Sequence, residues 1–505
     1  MISMLFSFPP RKRALLPAVT FNLLLFAIVF IAAGCGNGGS IPTKSSAPTP
    51  TPTPGGNAQV ALVVSSTADD QVSEFDLLIK SIVLTNQAGA TVTLLDSPQS
   101  LEFIHLNGTA EPLLSASIPQ GVYTAASMAL DIGAPVDAVF ICVGLDSSGS
   151  VSGSLFGGGA ANVAAVLPAP LVVNEDTMGL SLNLLVSRSA ITPGSCINPS
   201  GATFTISPTF SLATFDIPPL TAKAAPDQVV SLLGKIVTID SGAGTFQVTL
   251  PEGLGQPAPL VPIRVDSGTV FQGISGFASL SIGFFVNLDG RIQADGSVQA
   301  TRIDVRDPSA LNFPRGPVLF VDGNAHEILV MPRQEQGKAS SNTLNFSDQE
   351  FDYSGAAFDI SGQFSNIQAL PFSANFSGST IVPGQVVSVS SPVFADPSQG
   401  FTPATTVTLM PQTVNGTVMG STSQGGFTVL TVAIPSASLF SALATQPAQT
   451  SFLQNPNAVE VYIDNNTQML NSTPLTQNAP FRFYGLVFND NGVLRMDCSK
   501  VLDAP

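Results

Sequence analysis

The chain of 505 residues has no tryptophan, two histidines, four cysteines and few charges, and each shortage narrows its chemistry. With Asp, Glu, Lys and Arg at only 10%, a polar surface has to come from Ser, Thr, Asn and Gln. Two imidazoles leave little for general acid–base or metal chemistry. His105 falls in an alternating strand pattern and His326 just past the turn Asp322-Gly323-Asn324, so both read as structural or surface residues. No G-x-S-x-G elbow, P-loop or H-E-x-x-H occurs, and serines without a neighbouring base are inert. Acidic turns at Asp69-Asp70, at Asp289 with Asp295, and at Asp490 with Asn489 and Asn491 lack the twelve-residue calcium-loop spacing and read as turn chemistry. No catalytic residue, metal or cofactor is assigned, and the expectation is a protein that is not an enzyme.

Basic residues are also scarce. Eighteen Lys and Arg against 34 Asp and Glu give a net charge of −16, which repels phosphate backbones and excludes nucleic acid as a partner. Beyond residue 35 no second apolar run of membrane-spanning length follows, so the mature part is expected to be soluble.

What the chain does have begins with an address. Arg11, Lys12 and Arg13 precede an almost wholly apolar stretch, 14–33, which ends at Ile31-Ala32-Ala33-Gly34-Cys35. Basic, apolar, then small is the order of a secretory signal. Residues 1–35 resemble a bacterial lipoprotein signal with its lipobox, which implies lipidation at Cys35 and membrane attachment through that lipid. Gly36, rather than Asp, follows the cysteine, as in outer-membrane sorting, so an outer-membrane or cell-surface location is expected. An uncleaved transmembrane helix is the competing reading, since the run is long enough to span. Residues 36–58 carry Ser-Ser-Ala-Pro-Thr-Pro-Thr-Pro-Thr-Pro, a Pro/Thr/Gly/Ser-rich tether that favours extended polyproline II.

The remainder reads as all-β. Hydrophobics at 44%, with 44 Gly and 40 Pro, can fill cores while interrupting helices. In 59–217, short strand-like runs such as 60–64, 75–84, 101–106 and 122–132 alternate with turn signals, the pattern of a β-sandwich of transthyretin or immunoglobulin type. In Ile118-Pro119-Gln120-Gly121-Val122-Tyr123-Thr124, Pro119 fixes the turn entry and Gly121 supplies a permissive φ. Tyr123 then starts a strand with its ring packed and its hydroxyl free to bond. This turn is similar to the "LPAGxYT" turn of transthyretin-like sandwiches. Together with Phe103-Ile104-His105-Leu106-Asn107-Gly108 and Ser211-Leu212-Ala213-Thr214-Phe215-Asp216, the segment resembles the lipoprotein family called domain of unknown function four-three-eight-two. That resemblance implies a β-sandwich on a lipoprotein and transfers no catalytic residue. Cys142 and Cys196 are candidates for a disulfide in an exported protein, with two free thiols as the alternative. Cys498 reads as a small buried hydrophobe.

After 217 a pattern repeats with a period of about 90 residues, too long for a solenoid and suited to tandem domains. Gly234-Lys235-Ile236-Val237-Thr238 through Val298-Gln299-Ala300-Thr301-Arg302-Ile303-Asp304 is paralleled by Val414-Asn415-Gly416-Thr417-Val418 through Val493-Leu494-Arg495-Met496-Asp497. A degenerate middle copy starts at Gly316-Pro317-Val318. The modules span 227–307, 314–411 and 412–505. Hairpin dipeptides Asp295-Gly296 and Asn491-Gly492, and the benefit of removing sheet edges by closure, point to small OB-like β-barrels. The units resemble an OB-like exported family, domain of unknown function five-six-six-six. The expected function is a non-enzymatic, lipid-anchored envelope protein acting as a modular spacer or as a binding surface for a protein or glycan. The alternatives are an exported hydrolase using dispersed Asp and Glu, or a small-ligand-binding lipoprotein.

Overall fold

A computed structural model describes residues 56–67, 72–130, 138–140, 153–155, 161–189, 204–217, 227–250, 259–336, 348–362, 367–394, 401–436, 438–444, 449 and 452–504. All of them belong to one compact unit, Pro52–Pro505. The fold is all-β: among the described residues the longest helix is Leu439–Ala444, and no helix is long and apolar enough to cross a membrane. Cys35, Cys142, Cys196, Asp69 and Asp70 lie outside the described residues.

The first domain packs two sheets. One has the order Phe210–Asp216, Thr177–Leu184, Asn57–Ser66, Ala110–Pro119, and the other is built around Val72–Asn86 and Gly121–Leu130. Their facing side chains, including Val60, Leu62, Phe75, Leu77, Phe103 and Phe210, form a single core. Asn57–Ser66 is buried on both faces. Its outward Ala61 and Val63 pack with Phe215, Ile217 and Ile292, so the back of the sandwich is covered by the first barrel. Tyr123 starts its strand as expected, ring buried and hydroxyl donating to the Pro119 carbonyl at 2.7 Å. Gly121, by contrast, does not adopt a positive φ, and a Cβ there would meet open space. The run 101–106 is not one strand either: after Gln99–Glu102 the chain turns into a 3-10 segment, Ile104–Leu106.

Three barrels of one design follow. In the first, Gln228–Asp240 pairs with Thr245–Thr249 and Phe285–Ile292. Leu260–Arg264 and Val298–Asp304 then close the ring through a parallel pairing, Ile263 opposite Val298. The short strand Val270–Gln272 adds parallel to Val298–Asp304. The third barrel repeats every pairing: Gln412–Gln424 joins Phe427–Ala433 and Pro480–Asp490, and Ala458–Ile463 closes parallel onto Val493–Asp503. Gln468–Met469 takes the place of the short added strand.

The middle copy, degenerate in sequence, follows the same circuit with its last strand broken in two. Thr402–Pro403 pairs with Gln349–Asp352, and Thr406–Leu409 pairs with Val386–Ser390 and Ala357–Ile360. Pro403 has no N–H to continue the ladder, which accounts for the break. Phe313–Asp322 and Glu327–Val330 complete the ring. At Asn491-Gly492 both residues have positive φ, 53° and 87°, so Pro480–Asp490 and Val493–Asp503 are joined by a two-residue primed turn.

Candidate functional site

A network of buried and half-buried polar side chains lies where the sandwich, near the turn after Gln99–Glu102, meets all three barrels. Glu102 organises that turn. Its Oε1 accepts the backbone N–H groups of Phe75 (3.0 Å) and Ile104 (2.8 Å), and its Oε2 accepts from the His105 backbone at 2.9 Å. The Ile104 and His105 groups are otherwise orphaned donors at the start of a 3-10 turn. The same Oε2 lies 2.8 Å from His105 Nδ1, and His105 Nε2 lies 3.1 Å from Glu111 Oε1, off the ideal hydrogen-bond axis. With a carboxylate oxygen at each ring nitrogen, the imidazole is held as the doubly protonated cation. Burial alone would lower the pKa of His105. The Glu111 charge, with the hydrogen bond to Glu102, outweighs burial and raises it to about 9.

From Glu111 the network crosses into the barrels. Gln334 Nε2 reaches Glu111 Oε1 at 3.4 Å, and Gln334 Oε1 accepts from Arg315 Nη1 at 3.2 Å. Arg315 also donates to the Ser231 carbonyl (2.6 Å) and to Asn287 Oδ1 (2.9 Å), tying the middle barrel to the first. Ser231 sits at a bulge of Gln228–Asp240 with φ at 61°, a costly conformation for a residue with a Cβ, and its N–H is held by Asp289 Oδ1 at 2.8 Å. Burial, only partly offset by that N–H, raises the Asp289 pKa to about 6.

The third barrel grips the same turn. Thr413 Oγ1 donates to the Asn107 carbonyl (2.8 Å), Arg482 Nη1 to Asn107 Oδ1 (2.8 Å), and Lys500 Nζ to the Gly108 carbonyl (3.0 Å). Lys500 also lies over the Tyr484 ring, 5.2 Å from its centre. Thr109 Oγ1 reaches the Val230 carbonyl of the first barrel at 3.0 Å. Between these contacts remains a cavity of about 80 Å³, room for several waters or one small molecule, with wall residues from the sandwich and all three barrels. Ile104, Val230, Val386 and Phe440 supply its apolar wall; Glu111, Arg315 and Tyr484 are among its polar groups.

His105 was expected in an alternating strand as a plain structural or surface residue; it instead sits in a 3-10 turn at the hub of this junction, its side chain 13% exposed. The strand period is broken because Glu102 caps the turn, and nothing in the local sequence shows that Glu111 returns to the same imidazole. His326 lies in a turn with φ at 61°, its ring 5.7 Å from that of Tyr353. The acidic turns are engaged by protein groups: Asp295 holds Ser297 and Arg264, and Asp490 holds Asn491 and Arg495. Among the described residues no group of three His, Cys, Asp or Glu side chains is placed to hold a metal ion. Cys498 is buried, is in no disulfide, and lies 3.2 Å from the Lys500 carbonyl.

No curated protein matches the chain. Residues 234–304, from the middle of the first barrel's opening strand to the end of its closing strand, match the family model described as Domain of unknown function (DUF5666), the OB-like family that the repeat resembles.

Proposed function

We propose that the chain is a lipid-anchored, non-enzymatic protein of the bacterial envelope. In this reading Cys35 carries the lipid, residues 36–58 are the tether, and the β-modules form a spacer or a binding surface for an envelope protein or glycan. The likeness of 59–217 to the lipoprotein family four-three-eight-two belongs to the same reading. Its main structural support is the junction itself. Glu102, His105, Glu111, Arg315, Arg482 and Lys500 all bond to backbone or side chains of neighbouring elements, which is the use of charge expected where modules are held in register. A hydrolase would need two carboxylates facing substrate, whereas Glu102 and Glu111 both face His105. The test is metabolic labelling with radioactive palmitate: label should enter the wild-type chain and be lost in Cys35→Ala, with the protein released to the soluble fraction. Equal labelling of both chains, or membrane retention of the variant, overturns the anchor.

A further inference from the structure

Arg315, Arg482 and Lys500 are each at least nine-tenths buried, with exposures of 6%, 8% and 7%. Their hydrogen-bond acceptors are all neutral oxygens. Arg315 has the Ser231 carbonyl, Gln334 and Asn287; Arg482 has the Asp503 and Ser66 carbonyls and Asn107; Lys500 has the Gly108 carbonyl. Among the described residues no carboxylate forms an ion pair with any of the three. A buried cation without an ion-pair partner is costly, and of the three Arg315 lines the cavity, while Arg482 and Lys500 hold the neighbouring turn.

Two donors at this cavity are left over. Arg315 Nε makes no hydrogen bond. Tyr484, 3% exposed, lines the cavity, and its hydroxyl has no partner among the described residues. A buried phenol normally finds one. Glu111 is the acidic group on the wall, and it is turned to His105 and Gln334.

We infer that the cavity at the four-module junction is a binding site for one small oxyanion, a short carboxylate or an inorganic phosphate, held by the Arg315 guanidinium and the Tyr484 hydroxyl. About 80 Å³ limits the guest to a few heavy atoms. The apolar wall of Ile104, Val230, Val386 and Phe440 suits the methyl end of a short carboxylate, while a tetrahedral anion would use the donors alone. The lowered pKa values of Lys500, to about 8, and of Arg315 and Arg482, to about 10, follow from burial, which outweighs the charges of Asp289 near Lys500, of Glu111 and Asp289 near Arg315, and of Asp503 near Arg482. This inference stands apart from the lipid anchor and does not need it.

The experiment is thermal unfolding of the full chain at pH 7, titrated with sodium acetate or sodium phosphate at ionic strength held constant with sodium chloride. At least one anion should raise the midpoint along a saturating curve, acetate alone identifying a planar carboxylate and phosphate alone a tetrahedral guest. Tyr484→Phe, which keeps the ring, should raise the half-saturating concentration about tenfold. Arg315→Lys, which keeps the charge but loses the planar fork, should do the same. If neither anion moves the midpoint beyond the chloride control, or if both variants bind as the wild type does, the site does not exist as described.

Discussion

The two ring nitrogens of His105 and the carboxylate of Glu111 make the junction pH-sensitive: Nε2 lies 3.1 Å from Glu111 Oε1 while Nδ1 faces Glu102. The folded pKa of about 9 stands above the ordinary 6.5, so folding binds this proton more tightly than the unfolded chain does. Its contribution, at most on the order of 3 kcal/mol, is fully present below pH 6.5 and lost as pH rises towards 9. Lys500, lowered to about 8 mainly by burial, acts in the opposite direction above that pH. Denaturant unfolding should therefore show stability falling between pH 6.5 and 8 in the wild type and a flatter profile in His105→Gln. Parallel profiles would refute the assignment.

Gly108 has φ at +85°, and a Cβ there would come within 2.7 Å of Thr413 Oγ1 and 2.8 Å of the Tyr484 ring. Gly108→Ala combines left-handed backbone strain with loss of the fit to the third barrel. A destabilisation of about 2–4 kcal/mol is expected in urea unfolding. Gly121→Ala, at an ordinary φ in open space, should change stability by less than about 0.5 kcal/mol.

Removing only the hydroxyl in Tyr123→Phe leaves the Pro119 carbonyl without its 2.7 Å donor while the buried ring stays packed. The cost should be about 1 kcal/mol, read as a lower thermal midpoint. An unchanged midpoint would mean that water replaces the donor at no cost.

Cys498 is 3% exposed, and burial pushes its thiol pKa well up. A thiol so disfavoured as thiolate should not alkylate in the native state at pH 8, and its labelling should rise only with unfolding. Mass mapping after iodoacetamide treatment, with and without urea, checks this; native-state labelling at residue 498 would contradict it.

How much of this was legible in sequence follows from the range of the interactions. The all-β class, the primed turn at Asn491-Gly492 and the Tyr123 corner are local, and alternation and turn residues expose them directly. The repeat was legible because each barrel reuses one hydrophobic pattern, and the degenerate middle copy keeps the circuit although Pro403 breaks its last strand. The site was not legible. His105 meets Glu111 six residues on, but Arg315, Gln334, Thr413 and Lys500 arrive from 200 to 400 positions away, and no periodicity couples such distances. The isolated scarcity of basic residues was visible; that several of them are buried together was not.

The account rests on the junction joining the sandwich and barrels into one cooperative unit, and Arg315 is the cation that ties the middle barrel to the first. In Arg315→Met, the Ser231 carbonyl, Gln334 and Asn287 lose their shared donor, a loss of about 2–4 kcal/mol. Scanning calorimetry of the full chain tests this directly. The wild type should unfold in one transition whose calorimetric and van't Hoff enthalpies agree, and Arg315→Met should split it into separate, lower transitions. Separate transitions already present in the wild type, or a variant that still unfolds as one at the same temperature, would contradict it.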